Sequence, residues 1–276
     1  MDGTHERYRI CETRNASSVI ADRIIGHRGA AALAPENTLA GIRKASACGL
    51  RWVELDLSLL GDSTPVLSHD HEFDRCTNYS GSLSRSTLTD LLQIDAGSWF
   101  SQEWHNEKLP LLSDALLLCQ TLNLGLNLEL KPRDGESELT AAAAFQMISV
   151  YWHDPDKLII SSFDHQALSA YRALDAQANI GLLYDYLPER WHLQAAAIQA
   201  CSIHCDCNAM TQADIQDVKA SGYDLYCYTC NDPEQADRLF ALGVDGIFTD
   251  NPFIMAPFNQ PNDLHDNQLS PAQPLP

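Results

Sequence analysis

The chain has 276 residues, with 37 acidic against 18 basic side chains, a formal net charge of −19 and a pI near 4.7. A field of that sign repels nucleic acid and anionic membrane as general partners, so a site for an anionic substrate must build its positive charge locally. A hydrophobic content of 45 % suits a soluble globular core, in one large α/β barrel or two smaller domains.

No apolar window of about 18 residues is available for a membrane span. The start Met1-Asp2-Gly3-Thr4-His5-Glu6-Arg7 is not a basic-then-apolar leader. Nine cysteines, an odd number, are scattered without a framework spacing and read as reduced thiols. Together these features point to a cytoplasmic protein. Composition leaves the oligomeric state open.

Residues 1–22 are polar and unpatterned and read as an N-terminal arm. The first strand is expected over 24–28 and a helix over 38–48, then a strand over 52–57. A short run at 64–68 follows too closely for a parallel crossover and must be an antiparallel return through the turn Gly61-Asp62-Ser63. Residues 70–110 form an excursion before the next regular helix, in the position of a cap over a site. Further strands are expected over 125–131, 158–163, 179–184, 201–205, 224–229 and 245–249. Helices are expected over 113–122, 138–152, 165–175, 189–199, 211–221 and 232–242. The last has Asp232 as its cap, Pro233 in its first turn, Gln235 to complete a capping box and Gly243 to end it. Eight strands alternating with helices fit a TIM (β/α)8 barrel over 23–256, with a small insertion over about 57–110 and a flexible tail over 257–276.

Active sites of such barrels lie at the C-terminal ends of the strands. The first strand delivers His27 and Arg28 there, the second Glu54 and Asp56, the hairpin His69, and the third Glu129 and Lys131. Period-two alternation keeps each E-x-D or E-x-K pair on one face. Two carboxylates side by side on a buried face are costly unless a cation sits between them.

Several motifs occur in order: His27-Arg28-Gly29, Pro35-Glu36-Asn37-Thr38, Glu54-Leu55-Asp56, His69-Asp70, Asn127-Leu128-Glu129-Leu130-Lys131, Ser161-Ser162-Phe163-Asp164, Tyr228-Thr229-Cys230-Asn231 and Gly243-Val244-Asp245-Gly246-Ile247-Phe248-Thr249-Asp250. This ordered set, covering residues 23 to about 252, resembles the glycerophosphodiester phosphodiesterases, most closely the cytosolic bacterial type. The resemblance implies a TIM barrel that hydrolyses glycerophosphodiesters to glycerol 3-phosphate and an alcohol with one divalent cation. It implies Glu54, Asp56 and Glu129 as metal ligands and His27 and His69 as acid and base. Three carboxylates are hard donors suited to Mg²⁺ or Ca²⁺. Two imidazoles can divide the proton work, with His27 favoured as base and His69 as acid. Arg28 and Lys131 suit phosphoryl oxygens, with pairing to Glu36 or a neighbouring carboxylate as the bland alternative.

The runner-up functions are a lyase-type relative that releases a cyclic phosphate, resembling sphingomyelinase D or phosphatidylinositol phospholipase C, and a catalytically silent metabolite-binding barrel. Of the remaining features, His71 is expected to face solvent, Tyr228 to line the pocket, and Trp99, Phe100 and Trp104 to form a small core in the insertion. Cys201, His204, Cys205 and Cys207 alternate faces and do not make a zinc site.

Overall fold

The computed structural model describes residues 18–20 and 22–258. The first strand, β1 (Ile24–Gly26), leads to helix α1 (Leu39–Ala47) and to the long strand β2 (Trp52–Leu59), which returns as β3 (Pro65–Leu67). The insertion holds one short α-helix, α2 (Leu88–Leu91), between 3-10 turns at Leu83–Arg85 and Gln102–Trp104, and α3 (Leu112–Thr121) resumes the regular alternation. It continues through β4 (Gly125–Leu130), α4 (Ser137–Tyr151), β5 (Leu158–Ser162), α5 (His165–Leu174), β6 (Ile180–Tyr184), α6 (Trp191–Ala197), β7 (Ser202–Asp206), α7 (Gln212–Ala220), β8 (Asp224–Tyr228), α8 (Pro233–Leu242) and β9 (Gly246–Thr249).

All strands except β3 pair in parallel in the order β1-β9-β8-β7-β6-β5-β4-β2, and β1 also pairs with β2, so the sheet closes into an eight-stranded TIM barrel. As its spacing requires, β3 is antiparallel to β2, with Leu57 opposite Leu67 and Leu59 opposite Pro65. Every residue of β2 is buried, because Val53, Leu55 and Leu57 pack towards the helices while Trp52, Glu54 and Asp56 alternate with them. The lower barrel interior is filled by Ile20, Ile25, Trp52, Ile159, Tyr226 and Phe248. Ser18 bonds the Tyr226 hydroxyl at 2.7 Å, and Asp22 pairs with Arg51. The described end of the N-terminal segment is therefore packed on the barrel. The rest of the expected arm and residues 259–276 of the expected tail lie outside the described residues.

Most element ends fall within two residues of the sequence expectation. The difference with consequence is at β1, which stops at Gly26, two residues short, and leaves His27 and Arg28 in a turn. Arg28 (φ 49°) and Gly29 (φ 89°) are left-handed, which no strand accommodates. At α8, Asp232 accepts from Glu234 N and Gly243 closes the helix at φ 102°, but Gln235 makes no capping box. Its amide instead donates to Asn208 Oδ1 at 3.1 Å.

The insertion has its own core, and it is not the expected aromatic one. Leu60, Val66, Phe73, Leu83, Leu91, Ile94, Ala96 and Leu109 form it. Trp99 is 40 % exposed, meeting Phe100 edge-on at 5.7 Å, while its indole donates to Ala96 O. The core draws on residues along the whole excursion, and Trp99, Phe100 and Trp104 are not among them.

Candidate active site

The turn after β1 sets the site. A side chain at Gly29 would lie 2.7 Å from the Gly41 carbonyl carbon, so α1 packs directly on this loop. His27 N bonds Thr249 O at 2.9 Å and Gly29 N bonds Glu54 O at 3.2 Å, fixing the turn between β9 and β2. His27 and Arg28 are thereby held over the barrel's C-terminal mouth.

Below the turn, Asp56 is register partner of Glu129. Glu54, Asp56 and Glu129, all buried, each place one carboxylate oxygen within 4.8 Å of the others. Arg28 N donates to Glu54 Oε2 at 2.8 Å, while Glu54 Oε1 is buried without a hydrogen-bond partner. Asn37, itself left-handed at φ 53°, donates to Asp56 Oδ2 at 2.8 Å and accepts from Asp56 N. Burial, then mutual repulsion, pushes the Glu54 carboxyl well above its ordinary value and Glu129 up to about 7. Burial works the same way on Asp56, but the Arg28 and Lys131 cations outweigh it and hold it below the ordinary range. Three hard oxygen donors, one with an orphaned oxygen, fit a divalent cation.

The two cations are already engaged. Arg28 donates to Glu36 at 2.8 Å and pairs with Asp56 at 3.3 Å, so the expected alternative partner is present. Lys131 donates to Glu129 Oε1 at 2.9 Å, and its ammonium lies 5.7 Å from the Phe163 ring centroid.

Both histidines hold a carboxylate on Nδ1. His27 Nδ1 lies 2.6 Å from Asp250 Oδ1, whose other oxygen accepts from Asn231 at 2.6 Å. Asn231 is fixed in turn, accepting from Asp250 N and Thr249 Oγ1. His69 Nδ1 lies 2.7 Å from Asp70 Oδ1, Asp70 accepts from Arg75, and Arg75 makes two bonds to Glu36. Burial raises Asp70, but Arg75 and His69 together draw it down to about 2. Burial, then the Arg28 and Lys131 cations, holds His69 below the usual imidazole value against Asp56 and Asp70. Each imidazole thus keeps its Nε2 edge for proton transfer.

All seven site residues singled out in the sequence meet here, with His27, Arg28, Glu54, His69, Glu129 and Lys131 lining one cavity of about 490 Å³ and Asp56 buried beside it. Tyr228 lines the cavity as expected, its hydroxyl bonded to Tyr184 O. Of the insertion, only His69 is among the lining residues described, so the rest flanks this cavity. His71 departs from its expected solvent-facing position and bonds Lys131 O at 3.0 Å. Asp250, Asn231 and Arg75 had no assigned role in the sequence. Asp250 and Asn231 both sit inside motifs, but the pairing of Asp250 with His27, which Asn231 supports from behind, is a contact made only when the barrel closes.

Fold and site together place the chain among the TIM-barrel phosphodiesterases. The model of the glycerophosphoryl diester phosphodiesterase family matches residues 27–253, and the chain belongs to that family. It is 31 % identical over 236 residues to a glycerophosphodiester phosphodiesterase of Caldanaerobacter subterraneus, covering 83 % of this chain and 94 % of that one. A putative glycerophosphodiester phosphodiesterase of Bacillus subtilis is 30 % identical over 237 residues, again covering 83 % and 94 %. An Oleispira antarctica phosphodiesterase, solved in complex with the product sn-glycerol-3-phosphate, superposes with a TM-score of 0.83 at 35 % identity over 85 % of this chain and 95 % of that one.

Proposed function

We propose that the protein hydrolyses small glycerophosphodiesters to sn-glycerol 3-phosphate and an alcohol, with one divalent cation, Mg²⁺ or Ca²⁺, held by Glu54, Asp56 and Glu129. The observation that carries this reading is the clustering of the three carboxylate oxygens within 4.8 Å of one another, on the cavity that His27 and His69 line. When bound, the cation would neutralise phosphoryl charge and activate the phosphorus to attack. Arg28 and Lys131 reinforce that neutralisation at the same wall of the cavity. His27 takes the proton of the attacking hydroxyl, from water or the glycerol 2-hydroxyl, and Asp250 keeps its Nδ1–H directed away from the reaction. His69 returns a proton to the leaving alkoxide, whose departure unaided is slow. We assign the catalytic unit to residues 23–256. Among the described residues no helix is long and apolar enough to cross a membrane, and the free cysteines of the described chain support a reducing, cytoplasmic location.

The test is coupled detection of glycerol 3-phosphate, first with EDTA and then with Mg²⁺ or Ca²⁺ restored. Chelation should abolish the rate, add-back should restore it, and His27→Ala and His69→Ala should each lose about 10²- to 10⁴-fold in kcat. Rates indifferent to the chelator and to both substitutions would remove metal and histidines from the account. Phosphorus NMR of the product distinguishes hydrolysis from release of a persistent cyclic phosphate.

A further inference from the structure

The cavity is electrostatically two-sided. Arg28, Lys131 and both histidines come from β1, β4 and the hairpin after β2. In the closed ring, β6 and β7 lie diametrically opposite β1 and β2. From that far side come two more carboxylates, Asp185 just past β6 and Asp206 at the end of β7, and no lysine or arginine lines the cavity there. Asp185 makes no side-chain hydrogen bond or ion pair with a described residue. Asp206 uses only Oδ1, accepting from Asn208 N at 2.8 Å and its side-chain amide at 3.1 Å. Asp185 is exposed and Asp206 half-buried, and neither has a lysine or arginine of the described residues paired with it, so both carboxylates are open to a ligand cation.

Two independent features point to a ligand on this wall. Between the two sides stand Phe163 and Tyr228, edge to face at 5.9 Å, with the Tyr228 ring held by its hydroxyl bond to Tyr184 O. Aromatic rings beside carboxylates bind ammonium groups by cation–π attraction. His204 also lines the cavity. It is fully buried, its Nε2 is bonded to Ser202 Oγ at 2.9 Å, and its Nδ1 has no partner. Burial pushes its pKa down to about 3, so it stays neutral and sets no charge against a cation.

We propose that Asp185 and Asp206, with the Tyr228 ring, form the alcohol subsite and select diesters whose alcohol carries an ammonium group. The inference rests on the phosphodiesterase reading above. On it, a zwitterionic diester spans the cavity, phosphate towards Arg28 and Lys131 and ammonium towards the two aspartates. A neutral polyol would leave both carboxylates uncompensated.

The test compares glycerophosphocholine with its neutral isostere, the glycerophosphodiester of 3,3-dimethylbutanol, which differs only in carbon for nitrogen. With the cation-loaded enzyme, kcat/KM should favour the charged diester by about tenfold. In the double variant Asp185→Asn, Asp206→Asn that ratio should fall to about one. Each variant is first shown by circular dichroism to keep the wild-type fold, so that a surviving ratio reports on the subsite and not on misfolding, and the single variants are read in the same way where the double variant does not fold. A wild-type ratio near one, a ratio that survives the double substitution, or faster cleavage of glycerophosphoglycerol than of glycerophosphocholine overturns the inference. If neither diester is cleaved, the phosphodiesterase reading fails on its own. Calorimetric binding of the same pair then decides the subsite, with tighter binding of the charged diester supporting it and equal binding overturning it.

Discussion

Asp250 is the last residue of the motif that closes the chain's βα alternation, and it reaches the first residue of the first motif. Its bond to His27 spans 223 positions of sequence, a pairing that no local pattern announces. The clustering of the three carboxylates was legible because period two puts Glu54 and Asp56 on one face and because β2 and β4 are neighbours. His71 was misjudged because its partner, the Lys131 carbonyl, belongs to another strand's end. We expect Asp250→Asn, which preserves shape but loses the anionic acceptor, to lower kcat by about 10²-fold or more with little change in KM. Asp250→Glu should recover part of that loss. Steady-state kinetics showing kcat within twofold of wild type in Asp250→Asn would mean that His27 needs no orienting carboxylate.

At the scale of the element, the insertion is held less by its aromatic residues than by one aspartate. Asp95 is buried and accepts from Gly97 N, Ser98 N, Ser98 Oγ and Asn106 N at 2.7–2.9 Å, with His105 Nδ1 at 3.0 Å. Burial raises its pKa, but these donors outweigh burial and leave it below the ordinary value. A depressed folded pKa means stabilisation that is fully present above the unfolded value of about 3.9 and lost as pH falls through the folded one. Asp95→Ala should destabilise the insertion by about 2 kcal/mol, the scale of hydrogen bonds to a charged group. Amide exchange confined to residues 70–110 should accelerate while the barrel strands stay protected. Unchanged protection there would place the insertion's stability in its aliphatic core instead. The hairpin β2–β3 was legible from a linker too short for a crossover, whereas the identity of that core was not, since its members are scattered from Leu60 to Leu109.

For the whole molecule, closure of the barrel encloses a histidine. His204 packs against Tyr226 and Phe248 at ring-centroid distances of 5.3 Å and, with its pKa near 3, stays neutral where an unfolded imidazole would take a proton. Its folded pKa lies below the unfolded one, so the stability it supports is complete above about pH 6.5 and declines by roughly 1.4 kcal/mol per pH unit as pH falls towards the folded value. Urea midpoints measured from pH 7 to pH 4 should show that slope in the wild type and a flatter one in His204→Leu. Equal slopes would assign acid sensitivity to other groups. The sequence by itself determined the alternation of strands and helices, the antiparallel hairpin and the two faces of each strand, because these follow from periods of two and 3.6 and from short linkers. The tertiary structure alone decided which ends meet. Pairing of β1 with β9 brings Asp250 to His27, and the half-turn of the ring between β2 and β7 sets Asp206 across the cavity from the carboxylate triad. Both are consequences of closure, a long-range condition that leaves no mark on any local stretch of chain.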